Sequence, residues 1–407
     1  MQVVRIDMRS PFSRLNFVRL RASLLARDAK HFCGRFWQAS VSLVFGAFAC
    51  LILETIVSAQ GAAPPLISPG TNNQRPDRFN LLTYRDAQHQ EKPVHNTKQW
   101  LIRRAQIVDG FLEITGPIPG ASKVVPLELR IEEETDCGDY LRRFITYTSE
   151  PGSRVPAYLL VPKPFLSGTK KAPAVLALHQ THGLGHKVVV GLGKSPDDEY
   201  GVELVKKGYV VMAPAYPLLA NYAPNWRAMG YSSATMKAVW DNKRGLDLLE
   251  TLPYVKKGMF GAIGHSLGGH NGVFTAVLDL RIKVVVTSCG LDSFLDYMGG
   301  EVKGWSGDRY MPRMSNYGLR DIPFDFPELI AALAPRPVFI SSPYGDTNFR
   351  WESVDRVASA ARQIYGLYRK PEHLVVMHPD CGHRFPREMR ERAYEILKKV
   401  LRPRKLD

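Results

Sequence analysis

The chain has 407 residues, of which 45% are apolar and 23% charged. Those are ordinary globular proportions, so wholesale disorder, a disulfide-stapled miniature and a collagen-like chain are excluded, and no repeat of about 20–50 residues points to a solenoid or propeller. Lys and Arg number 54 against 39 Asp and Glu, a net charge of +15, but no basic stripe is interleaved with aromatics, so the surface reads as basic and soluble and not as a nucleic-acid interface.

Residues 41–53, VSLVFGAFACLIL, are a 13-residue apolar run, short of the roughly 20 residues a membrane-spanning helix needs. The run lies in a segment, 1–59, that holds eight basic residues against three acidic ones. Val57 and Ala59 satisfy the small-residue rule for cleavage after Ala59, so 1–59 is predicted to be a secretory signal peptide and the protein to be exported. The alternative is an uncleaved anchor over 41–59, the one case in which a membrane is an expected partner. Beyond Ala59 the cysteines are Cys137, Cys289 and Cys381. That odd number leaves at least one thiol outside any internal disulfide.

Residues 60–95 are expected to be a flexible leader, rich in Pro, Gly, Asn and Gln over 60–78. Residues 96–113 carry apolar positions at helical spacing and predict a helix. Residues 126–133, 139–148 and 155–162 read as β segments, the last two separated by Pro151-Gly152 as in a hairpin, and they suggest an antiparallel lead-in. From about 172 the pattern changes. Strand-length apolar runs at Ala174–Leu178, Tyr209–Ala213, Met259–Ile263, Lys283–Thr287, Val338–Ser342 and Leu374–Met377 alternate with helical stretches near 196–207, 233–251, 267–279, 351–368 and 387–401. Continuous apolar strands separated by helices predict an α/β fold with a mostly parallel twisted sheet covered on both faces. Ligands in such sheets bind at the carboxyl ends of the strands. Between Gly290 and Pro337 the periodicity breaks in a stretch rich in aromatics, among them Trp305 and Tyr310. It is read as an insertion that walls a substrate pocket, with a plain structural cap as the alternative.

The chemistry centres on Gly264-His265-Ser266-Leu267-Gly268, followed by Gly269. The pattern G-x-S-x-G sits between an apolar strand and a helix, the strand–turn–helix layout of a nucleophile elbow. Glycines are needed there because the serine occupies a tight turn and the strand and helix must approach closely. A serine hydroxyl needs a base to take its proton, and the base needs an orienting carboxylate. In the chain order nucleophile, acid, histidine, the candidates are Asp346, on the turn after Val338–Ser342, and His383, just past the last strand. Asp380 and Asp292 are rival acids. The oxyanion hole needs two backbone N–H donors. Leu267 is expected to supply one, and the loop His179-Gln180-Thr181-His182-Gly183 the other, through Thr181 or else Gln180. His179, His182 and His186 lie at spacings that zinc could use, but no acidic or thiol ligand joins them nearby. Gly191-Leu192-Gly193-Lys194-Ser195 imitates the end of a phosphate loop, yet position 188 is Val and no strand leads into it. Neither is taken as a site, so no metal and no cofactor is expected. Cys381 near His383 is a formal dyad without a nucleophile's surroundings.

These motifs resemble the α/β-hydrolase superfamily, in particular its dienelactone-hydrolase-like and acetyl-xylan-esterase-like branch. The resemblance is carried by GHSLGG (264–269), VLALHQTHG (175–183), APRP (334–337), SPYGDTNF (342–349) and DCGHRFP (380–386). It implies an α/β-hydrolase domain over 96–407, a Ser266–Asp346–His383 triad and no cofactor. The expected activity is hydrolysis of carboxylic esters through an acyl-enzyme, on small esters or acylated polysaccharides. A serine peptidase and a non-catalytic binding protein on the same scaffold are the alternatives. The oligomeric state is left open.

Overall fold

The computed structural model describes residues 77–404, so the expected signal or anchor over 1–59 and the leader as far as residue 76 lie outside it. Among the described residues no helix is long and apolar enough to cross a membrane.

The leader expectation fails from residue 77 onward. Thr83–Arg85 (β1) pairs antiparallel with Glu91–Pro93 (β2), and Leu81 and Val94 are buried in the main core. Two apolar anchors flanking a short polar stretch suffice to dock it, although composition alone reads as linker. The predicted helix follows as Thr97–Thr115 (α1). Asn96 caps it by accepting from the N–H groups of Lys98 and Gln99, which satisfies two of the donors that open a helix. Trp100, Ile107, Phe111 and Ile114 form its buried stripe.

Three antiparallel strands, Arg130–Asp136 (β3), Tyr140–Glu150 (β4) and Ser153–Pro162 (β5), lead into the parallel strands Ala172–Leu178 (β6), Val210–Pro214 (β7), Val255–His265 (β8), Ile282–Ser288 (β9), Val338–Ser341 (β10) and Leu374–Met377 (β11). Together they form one sheet in the order β11-β10-β9-β8-β6-β7-β5-β4-β3. The interleaved helices are Tyr200–Lys206 (α2), Ala234–Thr251 (α3), Leu267–Leu278 (α4), Phe326–Ala332 (α5), Trp351–Leu367 (α6) and Arg387–Leu401 (α7). Strand β6 shows why its run is apolar without a break. Ala174, Leu176 and Leu178 face one core, while Val175 and Ala177 face the other, so both sides of the pleat are covered. The chain passes from β6 to β7 on one side, then crosses back to β8 on the other. The loops leaving β6 and β8 therefore diverge at a topological switch point, where a crevice opens.

The 290–337 stretch contains three 3₁₀ turns, Tyr297–Gly299, Val302–Trp305 and Pro312–Asn316, and then α5. That helix was not foreseen, although Asp325-Phe326-Pro327-Glu328 is a capping box, with both reciprocal hydrogen bonds made. Buried ion pairs tie the insertion to the body: Arg78 Nη1 lies 3.0 Å from Asp325 and Arg103 Nη2 lies 2.7 Å from Glu328.

Candidate active site

The elbow is built as steric logic requires. Ser266 lies between β8 and α4 with φ +52° and ψ −120°, a conformation that costs a non-glycine residue free energy and persists only where the surroundings impose it. A side chain at Gly264 would put its Cβ 2.2 Å from the Gly268 carbonyl carbon, and one at Gly269 would sit 2.6 Å from Thr287 Oγ1. A Cβ on Gly268 would stand 1.9 Å from the Leu178 carbonyl oxygen. The first turn of α4 is thus pressed against the end of β6, which brings Ser266 beside the β6 loop.

Ser266 and His383 line one cleft of about 280 Å³ together with Thr181, Tyr297, Trp305, Tyr310 and Phe349. His383 Nδ1 lies 3.0 Å from each carboxylate oxygen of Asp346. Asp346 Oδ1 also accepts from the N–H groups of Asn348 (2.8 Å) and Phe349 (3.2 Å). Burial alone would raise the Asp346 carboxyl. The His383 hydrogen bond and charge and the two N–H groups outweigh it and hold the carboxyl below its usual range. No hydrogen bond joins Ser266 Oγ to His383 among the described residues. A base and its nucleophile often close up only when substrate is bound.

The rival acids stand elsewhere. Asp380 is exposed. Asp292 is buried, accepts from the Arg350 N–H at 3.2 Å, and leaves Oδ1 without a partner. Burial pushes its pKa up to about 8, so at neutral pH it is mostly the uncharged acid and a poor partner for an imidazolium.

On the oxyanion side, the Leu267 N–H opens α4 and so has no intrahelical acceptor. Thr181 borders the cleft, and its hydroxyl lies 3.4 Å from that of Tyr310. Gln180 does not border it. Its side chain turns to Asp198 and its carbonyl accepts from His179 Nδ1 at 2.7 Å. Sequence reasoning gave His179 no specific role. Its Nε2 accepts from the Tyr216 N–H at 3.0 Å, so both ring nitrogens are used by backbone groups and the neutral tautomer is fixed. Burial lowers its pKa to about 4. The histidine is a pin that holds the β6 loop in place.

The insertion supplies the other wall. Trp305 is buried in an aromatic cluster with His270 (4.7 Å between ring centroids), Tyr310 (5.7 Å) and Phe294 (5.5 Å). Tyr297, Asn348 and Phe349 also border the cleft and were not singled out. Phe349 was legible as part of the motif that carries Asp346, whereas Tyr297 had no signal beyond lying in an aromatic-rich stretch.

Cys137, Cys289 and Cys381 are all free thiols. Ligand atoms of Cys289, Asp346 and His383 lie within 4.8 Å of one another. Burial raises the Cys289 thiol well above its usual range, which keeps it protonated and a poor metal ligand.

No family model matches the chain. It is 24% identical over 315 residues to "Putative hydrolase YtaP" of Bacillus subtilis (strain 168), a match that takes in 73% of this chain and 100% of that one. Among solved structures, a glucuronoyl esterase from Solibacter usitatus superposes with a TM-score of 0.63 at 18% identity, over 81% of this chain and 98% of that one. A glucuronoyl esterase of carbohydrate esterase family 15 from Caldicellulosiruptor kristjansonii gives 0.60 at 19% identity, over 84% and 93%. At such identities the likeness is one of fold, and the fold is that of the α/β-hydrolases.

Proposed function

We propose that this protein is a serine carboxylic ester hydrolase that works through an acyl-enzyme. The observation that carries the reading is the pairing of His383 Nδ1 with both Asp346 oxygens at 3.0 Å, on an imidazole that shares one cleft with Ser266. Ser266 Oγ attacks the ester carbonyl while His383 Nε2 takes its proton, and Asp346 keeps the imidazole in the tautomer that leaves Nε2 free to accept. Negative charge then develops on the former carbonyl oxygen. In this reading the N–H groups of Leu267 and Thr181 receive it, as donors that need little reorganisation. The tetrahedral adduct collapses, His383 returns the proton to the departing alcohol, and an ester joins the acyl group to Ser266. Water, deprotonated by the same imidazole, then cleaves that ester and restores the serine.

For the substrate we propose an acylated polysaccharide or a small ester. The aromatic wall of the cleft supports this, as do structural neighbours whose names are those of esterases acting on carbohydrates. Residues 1–59 would export the protein. Purified wild-type protein is expected to hydrolyse p-nitrophenyl acetate and to be labelled by a fluorophosphonate probe. Ser266→Ala is expected to lose both at an unchanged melting temperature. Turnover undiminished in that variant, or peptides cleaved in preference to esters, would reject the assignment.

A further inference from the structure

A second groove, of about 390 Å³, opens beside the cleft and is bordered by Met298, Tyr344, Arg350, Trp351 and Glu352. The two depressions share their walls. Tyr297 borders the first, and Met298 and Gly299 the second. The chain reverses between them through three successive residues at positive φ: Met298 (+48°), Gly299 (+73°) and Gly300 (+93°). On the other wall Asn348 and Phe349 face the cleft, while Thr347, Arg350 and Trp351 face the groove. The ridge between them is the contact of Tyr297 with Phe349, whose ring centroids are 5.6 Å apart.

The groove has a built floor. Tyr344 is 53% exposed, yet its ring is braced edge-on by Trp351 (5.2 Å between centroids) and at a tilt of 33° by His378 (5.4 Å). His378 is itself pinned: Nδ1 lies 2.7 Å from the Ser342 carbonyl oxygen and Nε2 lies 3.1 Å from Asp355 Oδ1. An aromatic face held rigid in water loses little entropy when something stacks on it. Arg350 and Glu352 flank this face, and neither side chain has an ion-pair or hydrogen-bond partner among the described residues.

We propose that this groove is a sugar-binding subsite that holds a neutral pyranose ring of the substrate's carbohydrate portion while the ester is cut in the adjoining cleft. The proposal rests on the ester-hydrolase reading and names its substrate class. The C–H face of a pyranose is apolar and matches the Tyr344 ring, while its edge carries vicinal hydroxyls. A guanidinium fork donates to two such oxygens, and a carboxylate accepts from two such hydroxyls. An anion would gain from Arg350 but be repelled by Glu352, so a hydroxyl-rich neutral ring fits the pair better than a phosphate or a carboxylate. With Met298 and Tyr344 as its exposed apolar side chains, the patch is too small for a stable protein interface.

The test uses the full chain and two probes, acetylated xylohexaose and acetylated mannohexaose, with p-nitrophenyl acetate as the small-ester reference. Tyr344→Ala is expected to lower kcat/KM on the preferred hexasaccharide ester about tenfold, through KM, and to change p-nitrophenyl acetate turnover less than about twofold. Tyr344→Phe, which keeps the ring, should retain hexasaccharide turnover, and Arg350→Ala should reproduce the loss. In parallel, the tryptophan fluorescence of the wild-type protein is titrated with unacetylated xylohexaose and mannohexaose. Saturable binding that Tyr344→Ala abolishes supports the subsite even if no ester is cleaved, an outcome that would sink the hydrolase reading alone. Hydrolysis of p-nitrophenyl acetate without saturable binding of either hexasaccharide overturns the subsite and leaves the hydrolase reading standing. An equal effect of Tyr344→Ala on all esters also overturns it.

Discussion

Gly268→Ala should disable the site without touching a catalytic side chain. The new Cβ would lie 1.9 Å from the Leu178 carbonyl oxygen, 2.5 Å from its carbon and 2.9 Å from the His179 carbonyl oxygen. Carbon and oxygen pack no closer than about 3.2 Å, so the start of α4 and the end of β6 must separate by roughly 1.3 Å. Neither partner is a side chain that can rotate away. One is strand backbone in mid-sheet and the other is the first turn of a buried helix. The displaced groups are the two halves of the proposed oxyanion hole, with Leu267 on the helix and Thr181 on the β6 loop. A misplacement of about 1 Å in such a site costs on the order of 10²-fold in rate, and overpacking costs about 1–3 kcal/mol of stability. The control is one helical turn along. A Cβ at Gly272 would meet Ala262 Cβ at 3.6 Å and Leu178 Cδ1 at 3.7 Å, which is ordinary contact. Gly272→Ala should therefore be neutral, or stabilising by up to about 1 kcal/mol from helix propensity. Steady-state hydrolysis of p-nitrophenyl acetate and thermal melts followed by circular dichroism measure both variants. Equal activity and equal melting temperature in the two would refute the reasoning.

Asp346→Asn preserves shape but presents an amide to His383, favouring the wrong tautomer. We expect kcat to fall by about 10⁴-fold, as for the corresponding change in serine proteases, whereas Asp292→Asn should lower it less than about tenfold; the reverse ranking, read from kcat at neutral pH, would assign the acid to Asp292. Burial holds His179 near a pKa of about 4 and His186, His265 and His270 near about 3. Between those values and the ordinary 6.5 the unfolded chain binds protons that the folded chain does not. Stability should therefore decline as pH drops below about 6.5, by at most about 1.4 kcal/mol per pH unit for each histidine; a melting temperature flat from pH 7 to 5 would contradict this. Cleavage after Ala59 predicts an exported species whose N-terminus is Gln60, and recovery of intact chain in a membrane fraction would favour the anchor instead.

Much of the fold was written along the chain because it follows from local rules. Six apolar runs of strand length, five of them followed by a helical pattern, can bury both faces only as a parallel sheet between helices, and those six became β6 to β11. The elbow was equally legible, since glycines around a serine between strand and helix have few other uses, and the clashes at Gly264, Gly268 and Gly269 supply the reason. Helix α5 was there to be read in its capping box but was obscured by the aromatics on either side. Other features depend on residues far apart in sequence, so no local pattern encodes them. That His383 pairs with Asp346 and not with Asp292 turns on which carboxylate the fold swings under the imidazole and which it leaves buried with an unpaired oxygen. The pinning of the β6 loop by His179 depends on a backbone N–H 37 residues away. The second groove exists because residues 298 and 344 to 352 are brought to a common rim. Periodicity specifies what an element is and which side it buries, because those follow from the geometry of one segment. Contacts between segments depend on how the sheet twists and where the loops leave it, and the whole chain must be packed before they exist.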